Sequence, residues 1–252
     1  MTTDAVVINR RGPVLHARIN RADSGNACSS AVMAGLEGWL EEAHAPEVRA
    51  LVLTGTGRSF CAGADMAEGT ALLADPKALQ AFLRRGRDLV FNLRSAPVPT
   101  VAAVNGAAYG GGLELTLACD IAIAGQSARL GDRHLRVGQV PGWGSSAMLP
   151  SAVGQAWSRR LLLTAEALTA AEAASIGLVT QVVPDDELDA AALRLATSMA
   201  EHEPEVSTRM LRLARASRAE ETSAWDLEWQ AQLENLAAQR PGPQPHLHAD
   251  PD

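Results

Sequence analysis

Apolar positions along this chain recur with two different periods. Val6–Ile8 and Val14–Ile19 are short apolar runs split by Arg11-Gly12-Pro13, which predicts two strands of a hairpin. Ser29–Ala45 places Val32, Leu36 and Leu40 at helical spacing. Arg49–Thr54 is a continuous apolar run closed by Gly55, the pattern of a strand buried on both faces in a parallel sheet. Lys77–Ser95 reads as a second amphipathic helix, stopped before Pro97 and Pro99. Thr100–Val104 and Ile121–Ala124 read as two further buried strands, with a helical stretch Leu113–Ala118 between them. Strands alternating with helices predict an α/β layered fold. Thr169-Ala-Ala-Glu172 has the form of a capping box opening a shorter helix. Beyond about Asp185 strand signals fade, and Leu188–Glu201, Glu205–Ser217 and Ala219–Gln239 read as helices. Pro241–Asp252 is rich in proline and polar residues and reads as a loose tail.

With 252 residues the chain can bury one sizeable core. A formal net charge of −7 argues against nucleic acid as a partner, although a local arginine cluster would still hold a phosphorylated small ligand. The three cysteines, Cys28, Cys61 and Cys119, are too few and too odd in number for a disulfide framework. The residues from Met1 to Arg11 lack the apolar run of a secretion signal, and no apolar run is long enough to span a bilayer. These features predict a cytoplasmic protein with no membrane partner.

Candidate chemistry concentrates in two segments that follow strands: Ser59-Phe-Cys-Ala-Gly-Ala-Asp65-Met66 and Asn105-Gly-Ala-Ala-Tyr-Gly-Gly-Gly-Leu-Glu114. Small residues let a ligand approach the backbone, and a helix starting at Gly111 or Gly112 would present free N–H groups to an oxygen. Taken singly, each segment reads more readily as a tight turn; for the pair, the spacing matters more than the glycines. Other nucleotide and hydrolase motifs fail. Gly55-Thr-Gly57-Arg-Ser-Phe60 lacks the third glycine of a dinucleotide fingerprint, and no phosphate loop of the G-x-x-x-x-G-K-[ST] form and no G-x-S-x-G elbow occur. The one close histidine pair, His246 and His248, sits in the tail, so no metal site is expected.

Phe60-Cys-Ala-Gly-Ala-Asp65, Gly110-Gly-Gly-Leu-Glu114, Cys119-Asp120-Ile121 and Gly138-Gln-Val-Pro-Gly-Trp-Gly144 together resemble the signature of the crotonase superfamily, the enoyl-CoA hydratase/isomerase family. Asn26-Ala27 matches an early loop of that family, and the resemblance runs in order from about Ala5 to Gln239. It implies a spiral of ββα turns over residues 1–187, a C-terminal helical trimerisation region over 188–240, and a homotrimer or a hexamer built as a dimer of trimers. The implied ligand is an acyl-CoA thioester, with no prosthetic group. The resemblance puts an oxyanion hole on the N–H groups of Ala64 and Gly111, and coenzyme contacts on Ala22, Asp23, Ser24, Ala62, Gly63, Ala64, Asp65, Gly110 and Gly111. It puts the acyl pocket at Met66, Pro141, Gly142 and Trp143, where a small residue is common at the tryptophan position; Trp143 reads either as narrowing that pocket or as ordinary core.

The family's two acid/base glutamates fall on Glu114 and His134. The second is a departure. Imidazole can exchange protons near neutral pH, yet a lone histidine is more often a hydrogen-bonding or acyl-contacting residue than a catalytic one, and Asp132 is a second candidate partner. Glu114 itself also reads as a solvated helix residue. Arg209, Arg212, Arg215 and Arg218 recur every three residues and read as a solvated face or as contacts to coenzyme phosphates. The implied activity is hydration of a 2-enoyl-CoA, or its reverse. The alternatives are a double-bond isomerase, another enolate enzyme such as a decarboxylase working with one acid/base, and a non-catalytic acyl-CoA binder.

Overall fold

A computed structural model of the chain describes residues 4–216 and 222–238. Strands β1 (Val6–Arg11) and β2 (Val14–Ile19) form the expected antiparallel hairpin, with Val6 opposite Ile19 and Arg11 opposite Val14. Helix α1 (Ser30–Glu42) follows, its first turn closed by the Ser29 hydroxyl accepting from Val32 N–H.

Three turns of a spiral come next. The first is β3 (Ala50–Gly55), β4 (Ser59–Cys61), α2 (Met66–Ala71) and α3 (Pro76–Arg94). The second is β5 (Thr100–Val104), β6 (Ala107–Tyr109) and α4 (Gly111–Ala118). The third is β7 (Ile121–Gly125), β8 (Arg129–Gly131) and α5 (Ser145–Thr164). The chain then adds β9 (Leu168–Thr169), α6 (Ala170–Ser175), β10 (Gln181–Val183), α7 (Leu188–Ala200), α8 (Pro204–Ala214) and α9 (Thr222–Ala238).

Each spiral turn sends one strand to a six-stranded sheet of order β1-β2-β3-β5-β7-β10, and a shorter one to a four-stranded sheet of order β4-β6-β8-β9. Within the larger sheet β2, β3, β5, β7 and β10 run parallel, which is why β3 and β5 are apolar on both faces. Leu51, Leu53, Ala102 and Val104 point to the main core, shared with Val32, Leu36, Leu89, Leu93 and Leu113 from the helices. The alternate residues Ala50, Val52, Val101 and Ala103 face α7, packing on its Leu188, Ala191, Ala192 and Ala196.

The second sheet was not foreseen. β4 and β6 lie inside the two segments read above as loops, and three residues are too few to show a period. Helices α2 and α5 were also not anticipated. α2 holds no buried residue and therefore has no apolar stripe. α5 is broken by Gly154 at φ 75° and carries Pro150. The capping box at Thr169 and Glu172 forms as expected, with Thr169 N–H donating to Glu172 Oε2 and Glu172 N–H donating to Thr169 Oγ1. No described helix is long and apolar enough to cross a membrane, and the three cysteines are buried free thiols. The Pro241–Asp252 tail and Arg218 lie outside the described residues.

Candidate active site

The two motif segments meet where the smaller sheet delivers the chain to α2 and α4. Cys28 and Ala64 form an isolated bridge: Cys28 N–H donates to Gly63 O, and Asp65 N–H donates to Cys28 O. This fixes the backbone on either side of Ala64 and leaves the Ala64 N–H outside the pairing. Asp65 then caps α2, its Oδ1 accepting from Ala67 and Glu68 N–H at 3.1 Å. The other oxygen of Asp65 takes Arg21 Nη1 at 2.7 Å, and Arg21 Nη1 also donates to Ala27 O. Burial would raise the Asp65 carboxyl, but Arg21 and the two capping amides outweigh it and hold it below its usual value.

On the opposite side Gly110 adopts φ 51°, ψ −117°, donates to Asp132 O at 3.0 Å, and hands over to α4 at Gly111. Gly112 admits no side chain, because a β-carbon there would lie 1.9 Å from Cys61 O. The two segments therefore touch backbone to backbone. A β-carbon placed on Gly111 would lie 3.4 Å from Ala64 N, and one on Gly63 would lie 3.5 Å from Gly111 N. Both amides thus border one small opening, and among the described residues neither donates to a protein acceptor. Gly111 is the first residue of α4, so its N–H also carries the positive end of the helix dipole.

That opening belongs to a cavity of about 760 Å³. Ala62, Gly63, Ala64, Asp65, Met66, Gly110, Gly111, Glu114, His134, Gly142 and Trp143 all reach it, as does Asp132. Ala22, Asp23, Ser24 and Pro141 are not among its lining residues. Ala22–Ser24 form a short 3-10 turn, and the adjoining Gly25 packs toward the Ala62 β-carbon. Asn26, buried at φ 57°, is a loop clamp: its amide nitrogen donates to Thr56 O and Ser59 O, and its oxygen accepts from Arg21 N–H.

Glu114 is 1% exposed. Its Oε1 accepts from Trp143 N–H at 2.9 Å and Ser145 N–H at 3.1 Å, at the N-terminus of α5. Burial pushes its carboxyl up to about 8; His134 opposes that shift, Glu228 and Asp132 add to it, and the Ser145 amide pulls against it. The solvated-helix reading of Glu114 is thereby excluded.

His134 opens a short 3-10 turn and is held by Asp132, whose Oδ2 lies 3.0 Å from its Nδ1. A carboxylate on Nδ1 fixes the tautomer and turns Nε2 toward the Gly110 side of the cavity, 3.4 Å from where a β-carbon on Gly110 would stand. Burial lowers the imidazole, but the Asp132 hydrogen bond and the charges of Asp132, Glu114 and Glu228 exceed it and push it up to about 9. His134 and Asp132 are therefore held as a hydrogen-bonded pair.

Trp143 fills a slot between α3 and α4. Its Nε1 donates to Leu83 O at 2.9 Å, and its ring lies where β-carbons on Gly86 and Gly111 would stand, 2.1 Å and 2.4 Å from ring atoms. Overpacking a filled core typically costs about 1–3 kcal/mol. Gly86→Val should therefore lower stability by at least that order, read as a reduced denaturant midpoint at unchanged slope.

Several lining residues escaped the sequence reading. Leu79, Phe82 and Leu83 come from α3, and Gln232 and Leu236 come from α9. Glu228, also on α9, is 5% exposed and holds the start of α5. The available signal was the α9 stripe Trp225, Glu228, Gln232, on which two polar residues occupy buried positions. Of the C-terminal arginines, Arg215 binds Asp120 through two hydrogen bonds of 2.7 and 2.6 Å and reaches Ala96 O, so it ties α8 to the core. Arg209 pairs with Glu205 one turn away. No cluster of three His, Cys, Asp or Glu able to hold a metal occurs among the described residues.

Comparison with known proteins gives a consistent picture. The profile of the enoyl-CoA hydratase/isomerase family matches residues 9–241. A probable enoyl-CoA hydratase of Mycobacterium tuberculosis is 36% identical over 203 residues, covering 80% of this chain and 77% of that protein. The 2,3-dehydroadipyl-CoA hydratase of Escherichia coli is 37% identical over 201 residues, covering 79% and 77%. The crystal structure of an enoyl-CoA hydratase/isomerase from Xanthobacter autotrophicus Py2 superposes with a TM-score of 0.89 at 30% identity, covering 95% of this chain and 90% of that one.

Proposed function

Starting from the fact that the chain belongs to the enoyl-CoA hydratase/isomerase family and has its crotonase-type fold, we propose that it adds water to the double bond of a 2-enoyl-CoA thioester, or removes it in reverse. The observation that carries this reading is the convergence of two unpartnered amides, Glu114 and the Asp132–His134 pair on one cavity.

The thioester carbonyl oxygen would sit between Ala64 N–H and Gly111 N–H. Attack of water at Cβ moves the electron pair of the double bond into an enolate, with its charge on that oxygen, where preorganised donors act most strongly. Glu114, through its cavity-facing oxygen, takes the proton of the attacking water. His134, as imidazolium, gives its Nε2 proton to Cα and collapses the enolate, and Asp132 stabilises the charged ring. Each turnover leaves Glu114 protonated and His134 neutral, and exchange with solvent restores both.

The coenzyme would lie along Ala62–Asp65, with the Ala22–Ser24 turn beside it. The acyl group would run toward Met66, Gly142 and Trp143, with Pro141 behind them. No prosthetic group enters the reaction. A homotrimer, singly or paired into a hexamer, is supported by α8, which buries none of its own residues and exposes Val206, Met210 and Leu213 on one face. A division into a spiral core (1–187) and a helical assembly region (188–240) is supported by α8 alone, since α7 packs on the larger sheet and α9 on the start of α5. Three buried free thiols suit a cytoplasmic setting.

The test is hydration of crotonyl-CoA followed by loss of the enoyl thioester absorbance; turnover of a 3-enoyl thioester in its place would reassign the protein as an isomerase. The reactive form needs Glu114 ionised and His134 charged. Below about 8 Glu114 holds a proton and cannot accept one; above about 9 the imidazolium is lost. kcat/KM should therefore rise from neutral pH, peak between about 8 and 9, and fall beyond, the two limbs belonging to the coupled pair. His134→Ala should remove the alkaline limb and cost about 10²-fold in kcat. A loss confined to KM would make it a binding residue only.

A further inference from the structure

Helix α5 begins with amides that have no partner inside the helix. Four consecutive ones are shared between two carboxylates in strict alternation. Trp143 and Ser145 N–H donate to Glu114 Oε1, at 2.9 and 3.1 Å. Gly144 N–H donates to Glu228 Oε1 at 2.5 Å, and Ser146 N–H to Glu228 Oε2 at 2.7 Å. The Ser146 hydroxyl adds a third donor to Glu228 Oε2, at 2.5 Å. Both oxygens of Glu228 are therefore acceptors, and the three donors favour its ionised form against the burial that raises its carboxyl above the usual value. On Glu114 a single oxygen is engaged, and the other has no protein donor among the described residues.

We propose that Glu228 is a positioning residue for the acid/base step: by occupying the alternate amides of the α5 N-terminus as a carboxylate, it makes Glu114 the one carboxyl of the pair that exchanges a proton with a ligand. The proposal rests on the catalytic role given to Glu114 above. It comes from α9, an element far along the chain from either motif segment. The groups facing Glu114 are Asp132 and His134 from the turn after β8, Glu228 from α9, and Cys61 from β4. Of these, Asp132 is paired with His134, so Glu228 is the negative charge that His134 does not directly bind. Exchanging its carboxylate for a carboxamide removes a like charge near Glu114 while keeping an acceptor oxygen for the α5 amides. That favours the ionised form of Glu114, in line with the like-charge contribution of Glu228 to its raised value.

The experiment is the pH dependence of kcat/KM for crotonyl-CoA hydration by the full chain and by Glu228→Gln. The acid limb should move down by about one pH unit, the size expected for one charge acting across several ångströms of protein. Activity near pH 6.5, relative to that at pH 8.5, should then rise up to about tenfold. An unmoved acid limb in a folded variant overturns the proposal. Should Glu228→Gln not fold, infrared spectroscopy of the parent and Glu114→Gln proteins at pH 7 decides. The band of a buried protonated carboxyl should be present in the parent and gone in Glu114→Gln, and its survival places the proton on Glu228 and overturns the proposal. A Glu114→Gln protein that keeps its rate removes the parent reading with it. An inactive Glu114→Gln beside an unmoved limb in Glu228→Gln removes this inference alone.

Discussion

Glu114→Gln should lower kcat for enoyl-CoA hydration by about 10²–10⁴-fold while leaving the fold intact. The amide is the same size as the carboxylate, and its oxygen can keep the donors from Trp143 and Ser145. Its NH₂ then faces the cavity where the parent presents a basic oxygen. Because the lost interaction is with a proton in flight, kcat should fall with KM nearly unchanged. Steady-state kinetics beside a thermal melt separates this from simple destabilisation. A folded variant with parental kcat would remove Glu114 from the chemistry.

The second large effect is expected from Ala64→Pro, which deletes one of the two amides at the opening. Loss of a single donor of this kind costs about 10²–10³-fold in kcat. The substitution sacrifices no internal hydrogen bond, since the bridge to Cys28 uses Gly63 O and Asp65 N–H and never the Ala64 N–H. Activity and melting temperature measured together provide the check, and parental turnover in a folded protein would refute the oxyanion assignment.

The parts of the molecule legible in the sequence are those whose signal is local. β3 and β5 announce themselves because a strand buried on both faces must be apolar throughout, and α1 and α3 because their apolar residues recur with the helical period. The motif glycines were legible because backbone-to-backbone contact, as between Gly112 and Cys61 O, tolerates nothing larger. What stayed hidden depends on distant pairing. β4, β6, β8 and β9 are two or three residues long and exist through their neighbours in the second sheet. His134 could be placed from its position after Gly131, but its meaning needed the sight of Asp132 locked on Nδ1. Glu228 stood in a helix of mixed character, and only the approach of α9 to the start of α5 reveals why a carboxylate occupies its buried side.

The indole of Trp143 joins two walls of the cavity that would otherwise be independent. It leans on Gly86 of α3, is anchored at Leu83 O, and covers Gly111 beside the opening. Position 86 therefore sets how deeply the ring can seat, and under the proposed function the ring would in turn limit how far an acyl chain extends past the thioester. Widening that passage for a bulkier acyl group takes a smaller side chain at 143. Filling the vacated space takes a larger one at 86, and neither exchange is well tolerated without the other. Under the proposed function, chain-length preference would then depend on a coupled pair spanning a helix and a loop, and engineering it would require changing both members at once.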